Sequence, residues 1–154
     1  MSSIEWKEKG NDWFKNGEYE KAIECYDQAI SMNNQESVYF SNRSNCLLLL
    51  GRKEEALRDA ENSVELEESN IKGHYLCGKI LSELGAEQNN VKLMEKASNR
   101  LKKAYSLCRG QNKAELEESI QIALLLNRKN RFYIEEKEFN KELNSKKEEI
   151  EVPL

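Results

Sequence analysis

Large and small hydrophobic residues recur along this chain with a period of 34 positions. When the sequence is compared with itself shifted by 34 residues, large side chains mostly pair with large ones and small with small. The paired positions are Trp6 with Phe40 and His74, Gly10 with Ser44 and Gly78, Trp13 with Leu47 and Leu81, Ala22 with Ala56, and Ala29 with Ser63. A period of this length is typical of a repeat built from two antiparallel helices. The small residues mark close approaches of two helix backbones, and the large ones fill the space between helices.

Turn signals within each unit predict where the helices begin and end. In the first unit we predict a helix over 3–16, a turn at Asn16-Gly17 and a second helix over 19–32. The second unit repeats this arrangement with a turn at Gly51-Arg52, and the third begins at Ile71. The pattern therefore predicts an all-α domain of three helix-turn-helix repeats over residues 3–110.

The third unit departs from the period. Its small residues Ala97 and Ala104 come seven positions later than the first two units require, and the excess falls after Gly85 in the stretch "GAEQNNVKLMEKA". We expect an insertion at about residues 86–92 that either lengthens the turn or adds helix on its two sides. Its role is left open.

A seventh helix is predicted over 113–145, because apolar residues at Leu116, Ile120, Ala123 and Leu124 form one face able to cover the end of the stack. Beyond Leu126 the sequence turns polar, so the helix should project past the repeats, with 146–154 as a frayed tail. On that projection Leu125, Phe132 and Phe139 recur every seven residues, with Leu143 one turn later. This seam fits either a homodimer partner or a solvated, partly frayed helix.

Composition narrows the possible functions. Charged residues make up 34% of the chain and there is a single Pro, which suits long helices. The formal net charge of −4 argues against nucleic-acid binding. No apolar run resembles a membrane span or a signal peptide, so we expect no membrane association and a cytoplasmic location. Four dispersed cysteines and one histidine predict buried thiols in a reducing compartment, with no metal and no cofactor.

The first unit resembles a known family. The run W-x3-G-x2-W-x5-Y-x2-A-x3-Y-x2-A, from Trp6 to Ala29, is similar to the consensus of the tetratricopeptide repeat. The resemblance implies that the three repeats stack as a right-handed superhelix whose first helices line an inner groove.

Four polar residues on those first helices are not needed by the core: Lys7, Asn11, Asn42 and Lys72. Two ammonium groups and two amides facing one groove can bind a C-terminal Asp, which presents its main-chain and side-chain carboxylates together. The set resembles the carboxylate clamp of tetratricopeptide co-chaperones, which bind the Glu-Glu-Val-Asp C-terminus of the heat-shock protein 70 and 90 families. The resemblance leaves the preferred chaperone class open.

Leu76 stands where many such clamps carry Arg, and loss of a bidentate donor would lower affinity. An apolar residue at this position resembles the branch of the family found in U-box ubiquitin ligases. The sequence is similar to that branch over about residues 4–136 and differs from it at Asn45 and at the insertion. The resemblance implies that Phe14, Val38 and Leu76 form a pocket for the peptide's Val, and that Lys79 meets the upstream Glu residues. It also implies that this chain is the substrate-recruiting half of a ligase whose U-box lies outside it.

The sequence also bears on two other classes of function. A tetratricopeptide scaffold could bind an internal segment of another protein, in which case a free peptide carboxylate would not matter. An enzyme is not expected, because the chain lacks a Gly-rich phosphate loop and a nucleophile constellation, and its single histidine, His74, occupies a packing position of the repeat.

Overall fold

The structure, a computed structural model, describes residues 1–150, and these form seven α-helices. The predicted all-α architecture of three helix pairs followed by a seventh helix is confirmed. Each helix packs against the next in the chain, and α3 and α7 also contact α5. The helices are α1 (Ser3–Lys15), α2 (Tyr19–Met32), α3 (Ser37–Leu49), α4 (Lys53–Leu66), α5 (Ile71–Glu87), α6 (Val91–Cys108) and α7 (Ala114–Ile150).

The turns inside the three repeats share one geometry. In each, a backbone N–H donates to the carbonyl five residues earlier: Glu18 to Trp13 at 3.0 Å, Arg52 to Leu47 at 2.9 Å, and Asn90 to Gly85 at 2.8 Å. The residue before each donor has a left-handed backbone, with φ of 77° at Gly17, 78° at Gly51 and 49° at Asn89. Glycine adopts this conformation without strain and asparagine tolerates it, so three different sequences close the same turn.

The seven extra residues of the third repeat lie in its helices and not in its turn. α5 has 17 residues and α6 has 18, whereas the helices of the first two repeats have 13 or 14. Asn90 caps α6, since its side-chain oxygen accepts the backbone N–H of Leu93 at 3.2 Å. The insertion therefore extends α5 and α6 by about one turn each, and this gives α7 a longer surface to pack on.

The core depends on close backbone approaches at the predicted small residues. A Cβ atom added at Gly10 would lie 2.7 Å from the Tyr26 ring, and one at Gly78 would lie 2.5 Å from Leu101. At the equivalent position of the second repeat, Ser44 is fully buried and its hydroxyl donates to the Ala56 carbonyl at 2.7 Å. His74 is buried as expected, with Nε2 2.7 Å from the Glu68 carbonyl oxygen.

α7 is held by a buried polar contact as well as by apolar packing. Ile120, Asn127 and Ile134 are its buried residues. The Ser82 hydroxyl donates to the Asn127 side-chain oxygen at 2.8 Å, and the Asn127 amide donates to the Met94 carbonyl at 2.9 Å. Residues 135–149 are all exposed, so the helix runs past the repeats for about 20 Å. Of the tail expected at 146–154, residues 146–150 continue α7 and 151–154 lie outside the described residues.

Candidate carboxylate-binding groove

A concavity of about 450 Å³ opens on the inner face of the repeats. It is shaped by α1, α3 and α5, with one side chain from α2 behind them. The side chains that line it are Lys7, Asn11, Phe14, Lys15, Tyr26, Val38, Asn42 and Lys72. Helical spacing explains their convergence, since the α1 residues lie on one face at i, i+4, i+7 and i+8, and the two α3 residues are four apart.

The groove is electropositive although the chain as a whole is acidic. Three ammonium groups, those of Lys7, Lys15 and Lys72, line it, and no carboxylate side chain is among its lining residues, whereas the formal net charge of the chain is −4. Partial burial lowers the pKa of Lys72, because the ammonium loses hydration on entering the groove wall. An anion bound beside Lys72 would replace that lost hydration with a charge partner, so the groove is suited to bind negative charge.

A chain of hydrogen bonds fixes the two amides. The Tyr26 hydroxyl donates to the Asn11 side-chain oxygen at 2.6 Å, and the Asn42 amide donates to the same oxygen at 3.3 Å. The Lys72 ammonium donates to the Asn42 side-chain oxygen at 2.9 Å. Burial raises the pKa of Tyr26, so its hydroxyl stays a donor. Both amide oxygens already accept from donors of the protein and one Asn42 N–H is given to Asn11, so the donors that the two amides can offer a ligand are the Asn11 N–H groups and the second Asn42 N–H.

The apolar wall of the groove is made by Phe14 and Val38. Phe14 is half-buried and its ring lies 5.5 Å from the ring of Tyr19, which holds it in place. Val38 is 42% exposed at the start of α3. These two side chains flank the amides, so the groove combines an anion site with a small apolar surface that suits a branched aliphatic side chain.

Two of the eight predicted site residues do not line this groove. Leu76 is only 2% exposed and lies in the core with Leu47 and Ile80, because α3 packs over this part of α5. Leu76 therefore does not line the groove in this structure, and its contact with the ligand's Val stays a prediction. Lys79 lies on a separate hollow of about 260 Å³ between α5 and α7, with Tyr75, Glu83 and Leu126.

Two residues of the groove were missed in the sequence. Lys15 follows Lys7 by eight positions and Asn11 by four, so the helical spacing of α1 already places it on the same face. In the sequence Tyr26 stands out only as a tyrosine of the repeat consensus between Trp6 and Ala29. Its contact with Asn11 depends on how α2 lies against α1, which the spacing within one helix does not give.

The described part of the chain offers little to support catalysis or metal binding. No group of three or more His, Cys, Asp or Glu side chains within residues 1–149 could hold a metal ion. No helix of the described residues combines the length and apolar character that a bilayer crossing requires. The four cysteines are buried free thiols, and burial raises the pKa of Cys46 to about 11 and that of Cys77 to about 12, so these thiols are unreactive.

Fold and groove together define a helical-repeat binding module, in which paired helices present a concave surface to an extended ligand. Sequence comparison identifies a tetratricopeptide repeat at residues 3–35. A solved structure described as the second TPR of Spaghetti (RPAP3) bound to HSP90 peptide SRMEEVD is 30% identical, with a TM-score of 0.63 over 70% of this chain and 93% of that one. The chain belongs to the tetratricopeptide repeat family, and such domains are binding modules without catalytic residues.

Two further relatives connect the chain to co-chaperones. The second TPR domain of human RPAP3, solved with HSP70 peptide SGPTIEEVD, is 27% identical, with a TM-score of 0.68 over 82% of this chain and 94% of that one. DnaJ homolog subfamily C member 7 of Homo sapiens is 40% identical over 80 residues, which is 52% of this chain and 16% of that protein. The chain spans less than a fifth of the length of this relative.

Proposed function

We propose that this protein is a co-chaperone adaptor that binds the acidic C-terminal peptide of heat-shock protein 70 or 90 chaperones in the groove. The observation that carries the proposal is the charge of the groove, which is lined by three ammonium groups and by no carboxylate side chain. Two relatives with the same fold hold the peptides SRMEEVD and SGPTIEEVD, which both end in Glu-Glu-Val-Asp. A peptide of this kind brings its negative charge to the end of the chain, where this groove concentrates positive charge.

In the proposed complex the last residue of the peptide, an Asp, places its two carboxylates among Lys7, Asn11, Asn42 and Lys72. Lys72 and the two hydrogen-bonded amides are fixed before the ligand arrives, so little ordering is needed on binding. Lys7 stands at the other side of the groove and closes the positive ring. The preceding Val lies against Phe14 and Val38, and the upstream Glu residues run toward Lys79 on the α5–α7 hollow.

The expected affinity is micromolar. Charge-assisted hydrogen bonds contribute about 1.5–3 kcal/mol each, and association and peptide ordering cost about 4 kcal/mol or more. Four such contacts, together with a few kcal/mol from burial of the Val side chain, leave a net value of about −8 kcal/mol after these costs, which corresponds to a Kd of about 1 μM. Because the lysines are at the surface of an open groove, binding should weaken as salt is added.

The experiment is a fluorescence-polarisation titration with a peptide ending in Ile-Glu-Glu-Val-Asp, beside the same peptide with an amidated C-terminus. The free acid should bind and the amide should bind at least tenfold more weakly. Asn11→Asp is the sharpest variant, because an aspartate keeps an oxygen acceptor for Tyr26 but replaces the amide donor with a negative charge. Lys102→Ala, an exposed lysine on α6, is the matched control. Equal binding of acid and amide, or unchanged binding by Asn11→Asp, would contradict the proposal.

A second candidate is a scaffold that binds an internal segment of another protein. The α5–α7 hollow favours it, since this hollow is lined partly by apolar side chains such as Ile122 and Leu126 and could hold part of an extended chain. The same titration separates the two, because an internal segment has no terminal carboxylate. Equal affinity for acid and amide, lost on substitution of Ile122 but kept on substitution of Lys72, would establish the scaffold.

We propose further that the chain recruits substrates for ubiquitin transfer in the cytoplasm. This rests on the resemblance of residues 4–136 to the corresponding domain of the U-box ligase carboxyl-terminus of Hsc-seventy-interacting protein, including an apolar residue at Leu76. The test is a ubiquitination assay with the protein immunopurified from its native cells, supplied with activating and conjugating enzymes. Absence of ubiquitin transfer to a bound chaperone would refute the ligase role and leave the adaptor role intact.

A further inference from the structure

The second helix of the third repeat differs in charge from the second helices of the other two repeats. α6 carries five cationic side chains and one carboxylate over Val91–Cys108. By contrast, α2 carries three carboxylates and one ammonium, and α4 carries five carboxylates and two cations. The chain as a whole has a formal net charge of −4. Positive charge on the outer surface of the repeats is therefore concentrated on α6.

The cations of α6 lie on the face that points away from the domain. Lys92, Lys96 and Lys103 are exposed and fall within a sector of about 40° around the helix axis. Arg100 is turned about 40° further, towards α4. Leu101 and the other buried residues of the helix lie on the opposite side. The four cations extend over about 16 Å along the helix, so together they form a continuous positive surface.

The protein's own carboxylates do little to neutralise this surface. In the described part of the chain, Lys92, Lys96 and Arg100 have no carboxylate oxygen within 4.0 Å. Lys103 has one, but the Glu68 oxygen is 3.8 Å away and the Glu68 side chain is 84% exposed. Exposed pairs of this kind contribute little to stability, so all four cations can bind a ligand.

A hollow of about 510 Å³ lies beside these cations, between α4 and α6. Arg100 and Lys103 line it from α6, Glu65 and Glu68 line it from the end of α4 and the loop that follows, and His74 lies beneath. Burial lowers the pKa of His74, so its ring adds no charge at neutral pH. The α6 side of the hollow can hold a carboxylate, because a guanidinium and an ammonium both donate to its oxygens.

We propose that the outer face of α6 is a docking surface for an extended acidic segment of a partner protein. In an extended chain every second side chain points to the same side, at intervals of about 6.5–7 Å. Lys92, Lys96 and Arg100 follow one another at about 6 Å along the helix, so three alternate acidic residues can each meet one cation. The last of them enters the hollow between Arg100 and Lys103. The segment needs no terminal carboxylate, which distinguishes it from the ligand proposed for the groove.

Other anionic partners fit this face less well. The exposed residues of α6 are all polar, whereas a helix that binds to a membrane surface needs apolar side chains to insert. A nucleic acid would bring a continuous row of phosphates, but Glu68 borders the cations on one side and Glu95, which pairs with Arg131 at 3.0 Å, borders them on the other. Separate carboxylates on a polypeptide can be placed between these borders.

The first test is an NMR titration of the full chain with the acetylated and amidated peptide Glu-Ser-Glu-Ser-Glu-Ser-Glu. Backbone amide resonances of α6 should shift with a Kd of about 1 mM or below in low salt. The shifts should disappear in about 1 M salt, where the charges are screened. The peptide Gln-Ser-Gln-Ser-Gln-Ser-Gln is the control and should cause no shifts. Absence of shifts in α6, or equal shifts with the control peptide, would overturn the proposal.

Charge-reversal variants test the contact along the helix. Lys96→Glu and Arg100→Glu should each weaken binding about threefold or more. Lys102→Glu is the matched control, because Lys102 is exposed on the same helix but lies about 100° from the centre of the three lysines. Glu68→Gln should strengthen binding, since it removes the carboxylate beside Lys103. An effect of Lys102→Glu as large as that of Arg100→Glu, or no gain with Glu68→Gln, would contradict the assigned surface.

The groove and the α6 face can be tested separately. Lys72→Met should leave the affinity for the amidated acidic peptide unchanged, since Lys72 lies on the inner face. Arg100→Glu should change the affinity for the free-acid peptide ending in Ile-Glu-Glu-Val-Asp by less than about twofold, because screening limits a charge on the outer face. Tighter binding of an oligothymidylate of about 20 nucleotides, or of phosphatidylserine vesicles, at about 0.15 M salt would overturn the assignment to a polypeptide segment.

Discussion

Replacing Lys72 by methionine should separate the binding of an anion from the stability of the domain. Methionine keeps the length of the side chain and its packing in the groove wall but removes the ammonium. A charge-assisted contact contributes about 1.5–3 kcal/mol, so the Kd for the acidic peptide should rise about 10- to 150-fold. We expect the largest single loss here, since Lys72 both faces the ligand and orients the Asn42 amide at 2.9 Å.

The free energy of unfolding should change much less than the peptide affinity when Lys72 is replaced by methionine. The variant loses the hydrogen bond to Asn42, worth about 0.5–1.5 kcal/mol, but it also removes the cost of holding an ammonium away from water. These effects oppose each other, so the free energy of unfolding should change by less than about 1 kcal/mol. Urea denaturation followed by circular dichroism measures it, with Lys102→Met as the control at an exposed lysine.

The pH dependence gives an independent check. Because burial lowers the folded-state pKa of Lys72, the unfolded chain binds more protons in the window between that pKa and the ordinary value of 10.5. The stability contribution of Lys72 should therefore rise with pH across this window, while peptide affinity should fall as the ammonium is lost. Lys72→Met should show neither change at this site. Peptide affinity within threefold of wild type at neutral pH would refute the role assigned to Lys72.

Three further predictions concern the framework of the groove. Gly10→Ala should lower the free energy of unfolding by about 1–3 kcal/mol, because its Cβ would lie 2.7 Å from the Tyr26 ring. Peptide affinity should fall as well, because the hydrogen bond between Tyr26 and Asn11 is displaced. Urea denaturation and the peptide titration measure the two effects, and an unchanged denaturation midpoint would contradict the close approach. Asn127→Leu should destabilise the protein by about 1–3 kcal/mol, since it removes the buried acceptor of the Ser82 hydroxyl and the side-chain donor to the Met94 carbonyl. A thermal melt tests this, with the exposed Asn140→Leu as control. His74 should make the domain less stable in acid, because burial lowers its pKa in the folded state. As the pH falls below the ordinary value of 6.5, the unfolded chain therefore binds a proton before the folded one does. His74→Gln should flatten the dependence of unfolding free energy on pH between 7 and 5, and a dependence identical to that of the wild type would show that His74 does not cause it.

The helices and their pairing could be predicted from the sequence because the information is local. Each repeat places Gly, Ala or Ser where two backbones touch and a large side chain one turn away, and any chain with that spacing buries the same face. Whether the inserted residues form helix or turn could not be predicted in this way. "GAEQNNVKLMEKA" has residues that suit both helix and turn, and Asn89 and Asn90 close a short turn only because α6 packs on α5 at Gly85.

For the candidate groove, too, the residues set by spacing within one helix could be predicted and those set by packing between helices could not. Lys7, Asn11, Phe14, Val38, Asn42 and Lys72 could be found from the sequence, because helical spacing sets which residues share a face and the repeat sets which face is concave. The burial of Leu76 could not be predicted in this way, since it lies on the same face as Lys72 along the helix but is covered by α3 in the fold.

The sequence by itself determined the number of repeats, their helix pairs and the positive residues of the inner face, all of which follow from periodicities within single helices. Only the tertiary structure decided which of those residues are open to a ligand and how they are connected. The link from Tyr26 through Asn11 and Asn42 to Lys72 joins four helices over side-chain distances of 2.6–3.3 Å. Such distances depend on how the helices are packed against one another, and no spacing within one helix encodes them.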